Sequence, residues 1–297
     1  MERVLVCAAG GMVGRRIVEL LRADGVPVRA LVHRDGERAD RLRALGAEVV
    51  VGDLTWPESV AEAIRQIRVL YFAMPVSPDH LLAAAVVASV AREREKLDAL
   101  VGLSQMTVSQ MTSTSTGESQ QQRLHYLAER VFDWSGLPVV HIRPTAFLDN
   151  PLFTTLAAKS IRERSVLELP FGTGRTSPIA ADDVARVVAT VLKEPGPHVG
   201  KIYELTGPKT LDLAGLAEAY SRALGRKVTA HDVPLEEWHI EGLPPLVEQH
   251  VATMARLHRE NRYDRASDDV ERVTGQPART VEEFVAARRA EFTAPSG

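Results

Sequence analysis

The sequence predicts an α/β fold, a doubly wound parallel sheet with a smaller, mostly helical C-terminal lobe. Three observations point to it. Short apolar runs alternate with helix-length segments from residue 3 to residue 142. A glycine-rich turn joins the first run to the first helix, and the regular alternation lapses after Arg143-Pro144. A chain of 297 residues can hold one large domain, or one with a smaller lobe.

The elements follow in order. Residues 3–8 read as a buried strand, and a helix is expected over about 13–24. Residues 26–32 form a valine-rich second strand introduced by Gly25, 38–45 a helix, and 48–51 a third strand ending in Gly52-Asp53-Leu54. Pro57 opens the next helix at its first turn, with 59–67 as its body. A fourth strand over 69–74, a long helix over 81–97 and a fifth strand over 99–103 complete the repeated pattern. Strands separated by helices of this length form βαβ units, whose right-handed crossovers give a doubly wound sheet.

Residues 104–122 are Ser, Thr, Gln and Met with almost no charge or period, and read as a long loop. A helix over about 123–134 and a strand over 138–142 follow. Further on, helices are expected over 181–192, 211–224 and 281–292, with a strand over 201–205. Residues 1–150, completed by about 180–207, are therefore assigned to the sheet domain. Residues 151–179 and 208–297 are assigned to the lobe.

Composition narrows the function. Net charge is −3 with basic residues spread along the chain, so nothing suggests a nucleic-acid surface. The single cysteine, Cys7, lies in an apolar strand and reads as a buried structural thiol in a reducing compartment. The most apolar stretch, 81–90, is about half the length of a bilayer span, and no targeting signal is visible. A cytoplasmic protein with no membrane contact is expected. The histidines lack metal-ligand spacing, so no metal is expected either.

The turn Ala8-Ala9-Gly10-Gly11-Met12-Val13-Gly14 lies between a strand and a helix, the context in which backbone N–H groups hold a pyrophosphate. Gly11 permits close approach and Gly14 lets the helix pack on the strand. Ala8 stands where the usual pattern has its first glycine, with Gly10 beside the turn to compensate. At the end of the second strand, NAD sites carry an acidic residue for the ribose hydroxyls. This chain has His33-Arg34, with Arg38 near and Asp35 placed later. A guanidinium suits a 2′-phosphate, so NADP(H) is expected in preference to NAD(H), with Arg34 as first candidate and His33 and Arg38 as helpers. Asp53 and Leu54 are placed to bracket the adenine. Ala73, Met74 and Pro75, after the fourth strand, are placed to run along the ribose and pyrophosphate.

These features occur with Arg29-Ala30-Leu31-Val32, with His125 ahead of Glu129, and with Ser135-Gly136-Leu137. Tyr203-Glu204-Leu205-Thr206-Gly207 and Thr274-Gly275-Gln276-Pro277 come later in the same order. In order and spacing the chain resembles the NmrA-like group of atypical short-chain dehydrogenases/reductases over nearly its whole length. The resemblance implies a Rossmann fold, a small C-terminal substrate lobe and a cleft between them. It also exposes a departure. Members of the wider superfamily carry a Tyr and a Lys four residues apart, the Lys lowering the pKa of the Tyr acid/base. Registered on Glu129 and Ser135-Gly136, those positions hold Gln121 and His125. Tyr126 and Arg130 mimic the spacing one residue out of register, which is a helix rotation of about 100°.

The remaining candidates are His125 as a proton donor, or as a hydrogen-bonded helix residue shaping the cleft, and Ser104 as a carbonyl or ribose ligand. Gln105, Gln121, Phe147 and Asn150 are candidates for lining the substrate side. His141 reads as a satisfied core histidine. Two functions are compatible with this pattern. One is an oxidoreductase passing hydride from NADPH to a small quinone, enone or ketone, for which loss of the Tyr/Lys pair is tolerable. The other is a non-catalytic NADP(H)-sensing regulator with a protein partner, a type found in the NmrA-like group. An isomerase-like use of bound cofactor is a third, weaker option. The fold class is compatible with a homodimer, although no interface motif is visible.

Overall fold

A computed structural model describes residues 3–94, 96–238, 240 and 242–293. The chain divides into two compact units, Met1–Arg143 with Val184–Glu204, and Pro144–Asp183 with Leu205–Gly297.

The first unit runs β1 (Val4–Val6), α1 (Met12–Ala23), β2 (Val28–Val32), α2 (Glu37–Ala44), β3 (Glu48–Val51), α3 (Pro57–Ala63), β4 (Val69–Phe72), α4 (His80–Arg94), β5 (Ala99–Leu103), α5 (Gln120–Trp134) and β6 (Val139–Pro144). Among the described residues, seven strands form one sheet in the order β3-β2-β1-β4-β5-β6-β8, where β8 is Ile202–Leu205. The registers Val4↔Val28, Val4↔Val69, Val69↔Ala99 and Leu100↔Val139 are all parallel. Strand order reverses beside β1, so the carboxyl ends of β1 and β4 open a crevice there, the usual ligand position in such sheets. This is the Rossmann architecture that the resemblance implies.

Packing explains the strand pattern. Leu5, Leu31, Leu70, Phe72 and Leu100 meet Val60, Ala63, Ala83, Val87 and Phe132 from α3, α4 and α5 in one buried cluster. Cys7 belongs to it, and burial pushes its thiol up to about 12, leaving no reactive thiolate. Arg29, inside β2 and 4% exposed, donates to the carbonyls of Ala63 and Arg65 at 2.9 and 2.8 Å. It thereby satisfies the carboxyl end of α3, where a cation also complements the helix dipole.

Two expectations shift. The segment read as a loop to residue 122 contains a 3-10 turn, Met106–Gln110, and α5 begins at Gln120. Ser119 caps α5 through a reciprocal capping box with Gln122, a Ser-x-x-Gln signature that advances the start by three residues. The helix expected over 81–97 runs His80–Arg94, and Glu95 lies outside the described residues.

The second unit holds α6 (Thr155–Arg164), β7 (Val166–Leu169), the start of α7 (Ala181–Lys193), α8 (Leu213–Leu224), β9 (Thr229–Asp232), α9 (Pro245–Arg259), α10 (Asp269–Thr274), α11 (Val281–Ala287) and α12 (Arg289–Thr293). Its core gathers Phe153, Phe171, Tyr220, Leu257, Phe284 and Phe292. It is mostly helical and adds a parallel pair, β7 with β9. The helix expected over 281–292 is broken at Arg288, whose φ is −115°. The Arg288 guanidinium bonds Asp149 at 2.6 Å and lies over the Phe284 ring. No helix among the described residues is long and apolar enough to cross a membrane.

Candidate functional site

The turn after β1 is built by close backbone approach. Ala8 has φ 49°, in the left-handed region, and its carbonyl oxygen accepts from Gly11 N at 2.9 Å. A β-carbon on Gly14 would come 2.4 Å from that oxygen, so only glycine fits. No side chain caps α1 and no acidic residue stands in its first turn. The helix therefore presents its amino end, with Met12, Val13 and Gly14 in the first turn, to an anion.

Two cavities are lined in part by this turn. The larger, about 330 Å³, is lined by Ala8, Leu31, His33, Gly52, Asp53, Leu54, Thr55, Ala73, Met74, Pro75, Ser77 and Asp79. It thus collects seven of the residues singled out in the sequence, and adds Leu31, Gly52, Thr55, Ser77 and Asp79. Gly52 is close-packed as well: a β-carbon there would meet Ser59 Oγ at 2.4 Å, so the Ser59 side chain would have to turn away. Asp53 accepts from Thr55 N at 2.8 Å and Thr55 Oγ1 at 2.7 Å, and these bonds hold its carboxyl below the usual range. His33 Nδ1 stands 3.9 Å from Asp53.

The second cavity, about 200 Å³, lies among Gly10, Gly11, Met12, Arg15, Arg38 and Arg41. Arg15 is paired with Glu19 and Arg41 with Glu37, so Arg38 and the helix amino end carry most of its attraction for an anion. Arg38 was singled out in the sequence, whereas Arg15 and Arg41 were missed. Arg34 is exposed and lines neither cavity. The nearest carboxylate, Asp35, bonds Arg43 at 2.8 Å and the Gly36 N–H at 3.0 Å, and those contacts lower its pKa.

Gln121 and His125 share one face of α5. Gln121 is 1% exposed, and its Oε1 accepts from the Ser77 backbone N–H at 3.1 Å. Its Nε2 faces His125 Nε2 at 3.1 Å. Tyr126 lies on another face, with the Arg130 guanidinium 5.4 Å from its ring centre. Behind His125, a small cavity of about 10 Å³ is lined by His80, Ser104, His125, Glu129 and His141, among others. Ser104 is buried and its N–H donates to Ile142 O at 2.8 Å. Burial alone would raise the Glu129 pKa, but Arg143, bonding both its oxygens, and nearby His141 hold it below the usual range. His141 Nε2 bonds Asp133 at 2.8 Å. His80 is fully buried, its ring centre is 4.1 Å from that of His125, and burial pushes its pKa down to about 4.

Gln105 is half-buried and precedes the 3-10 turn. Phe147 and Asn150 belong to the second unit, where Phe147 bridges Ile179 and Asn150 Oδ1 accepts from Leu152 N at 3.0 Å. No group of three metal-ligating side chains occurs among the described residues.

Residues 8–195 match the NAD(P)H-binding family, a stretch that contains both cavities. The chain belongs to the NAD(P)H-binding family. It is 30% identical to an NAD(P)H azoreductase of Xenophilus azovorans, over 98% of this chain and 99% of that protein. Its fold matches the NADPH-dependent quinone oxidoreductase QOR2 of Escherichia coli, solved with NADPH, at TM-score 0.82 and 21% identity, covering 96% and 99% of the two chains. It also matches NmrA, a negative transcriptional regulator solved with NADP, at TM-score 0.83 and 18% identity, covering 96% and 94%. Both solved neighbours bear out the fold implied by the NmrA-like motifs.

Proposed function

We propose that this NAD(P)H-binding protein is an NADPH-dependent oxidoreductase that reduces small planar acceptors of the quinone, enone or ketone type. An azo compound is a further candidate, by analogy with the azoreductase relative.

Cofactor choice rests on charge. Arg38 lines the cavity at the amino end of α1 with Arg15 and Arg41, while Asp35, the carboxylate nearest the end of β2 in sequence, is engaged by Arg43, and Asp53, beside His33, is held by Thr55. The first-turn backbone of α1 would hold the pyrophosphate, and Arg38, with Arg34 and His33 nearby, would hold a 2′-phosphate. Asp53 and Leu54 would flank the adenine. When bound, NADPH supplies the hydride.

The reaction class rests on Gln121. It stands where the superfamily has its tyrosine acid, and its amide is engaged by Ser77 and His125. Glutamine exchanges no proton near neutral pH, so the acceptor must tolerate hydride addition without an acid at that position. A quinone or enone meets this condition, because charge develops on an oxygen remote from the carbon or oxygen attacked, whereas a ketone would draw its proton from solvent.

The test is to mix purified protein with NADPH and a panel of quinones, enones, ketones and azo compounds, following loss of the reduced-nicotinamide absorbance. Oxidation that requires both protein and acceptor supports the proposal. Tight NADPH binding with no turnover on any acceptor points instead to a cofactor-sensing regulator.

A further inference from the structure

The two hydrogen bonds of Gln121 determine the state of His125. The Ser77 backbone N–H can only donate, so the Gln121 amide oxygen faces it at 3.1 Å. The amide NH2 therefore points at His125 Nε2, 3.1 Å away, and an NH2 can only donate as well. His125 Nε2 must accept, which puts the ring proton on Nδ1 and leaves the ring neutral. A second ring proton would place N–H against NH2, two donors face to face.

Ser77 is part of the segment after β4 that lines the larger cavity through Ala73, Met74, Pro75, Ser77 and Asp79. The amide of Gln121 thus ties a wall of the cofactor cavity to α5, and its NH2 end has an acceptor in His125 only while that ring is neutral. We propose that Gln121 is a positioning residue for the cofactor: with neutral His125 it clamps segment 73–79 to α5, and protonation of His125 releases the clamp and weakens NADPH binding. This rests on the cofactor part of the function proposed above and not on turnover, so a protein that reduces no acceptor leaves it intact.

The groups packed against His125 do not replace Gln121 in this role. From α4, His80 lies with its ring tilted 54° against that of His125 and is fully buried, with neither ring nitrogen bonded among the described residues. From α5, Glu129 is held by Arg143 of β6. His141, also on β6, is engaged by Asp133, and Ser104 comes from the end of β5. Asp79 lies on the clamped segment itself, its N–H donating to Ser77 Oγ at 3.2 Å.

The experiment compares the full-length protein with Gln121→Glu and Gln121→Leu, measuring NADPH affinity by nicotinamide fluorescence between about pH 8 and about pH 5, the span over which an imidazole titrates. His33 lines the same cavity in all three proteins, so the comparison at each pH cancels its contribution. With the native residue, affinity should fall as pH drops. Gln121→Leu should bind roughly tenfold more weakly already at the high-pH end, the effect of losing about one buried hydrogen bond. Gln121→Glu should show a flatter pH dependence, because a carboxylate accepts from both Ser77 N–H and a protonated ring. Long-range ¹⁵N NMR should assign the His125 proton to Nδ1 at high pH. The inference is overturned if neutral His125 carries its proton on Nε2. It is equally overturned if Gln121→Leu binds NADPH as the native protein does, or if Gln121→Glu keeps the native pH slope.

Discussion

Gly14 and Ala8 touch backbone to backbone: a β-carbon at 14 would lie 2.4 Å from the Ala8 carbonyl oxygen. The contact fixes how α1 leaves β1, and with it the direction in which the helix amino end faces. Gly14→Ala should displace that end, lowering NADPH affinity and costing about 1–3 kcal/mol of stability by overpacking, read as a lower Tm. Ala8→Gly works in the opposite direction. Ala8 is at φ 49°, and relieving that strain should outweigh the added chain entropy by up to about 1 kcal/mol.

Cofactor discrimination should follow Arg38 more than Arg34, since Arg38 lines the anion cavity and Arg34 does not. Arg38→Ala should weaken NADPH binding by roughly tenfold to a hundredfold, the range for a charge-assisted hydrogen bond, and leave NADH binding nearly unchanged. Arg34→Ala should have a smaller effect. Titration calorimetry with both cofactors separates the cases, and equal losses for NADPH and NADH would remove the 2′-phosphate assignment.

These arginines also show how far a sequence can be read. The turn, the end of β2 and the residues after β3 and β4 were legible because strand-end position is set by local pattern. Arg15 and Arg41 were not, because each looks like an ordinary solvated helix residue until the turn brings α1 and α2 together around Gly10. The pair β7 and β9 was hidden for another reason. Its strands are short, and Thr229–Asp232 is exposed along its whole length with Ala230 as its one apolar residue, so no apolar alternation marks it. The start of α5 was legible after all, in the Ser119-x-x-Gln122 box. His80 left no mark, being one polar residue ahead of an alanine-rich helix, and only packing makes it a neighbour of His125.

Glu129 and Arg143 form a buried ion pair, with side chains 2% and 9% exposed. Removing one partner leaves a buried charge, so Glu129→Leu or Arg143→Met should each cost about 3–5 kcal/mol. The double replacement should cost less than either single change. Chemical denaturation of the three variants checks this ordering.

His80 and His258 are fully buried, and burial pushes each pKa down to about 4. An unfolded histidine titrates near about 6.5, so between these values the unfolded chain binds more protons than the folded one. Their contribution to stability is present above about pH 6.5 and is lost as pH falls toward about 4. The Tm should therefore decline over that window. His80→Phe should flatten the decline and raise stability near neutrality by about 1 kcal/mol, because it removes buried polar atoms that have no partner among the described residues. A Tm profile parallel to that of the native protein would contradict it.

Hydride transfer itself is tested most directly with NADPH carrying deuterium at C4, prepared in each of its two stereochemical forms, in single-turnover reactions with an enone or quinone. Acceptor-dependent oxidation should be slowed by the label in one form only, because a bound nicotinamide presents one face to the acceptor. NADPH that binds tightly yet is oxidised no faster with acceptor than without it would contradict an oxidoreductase function.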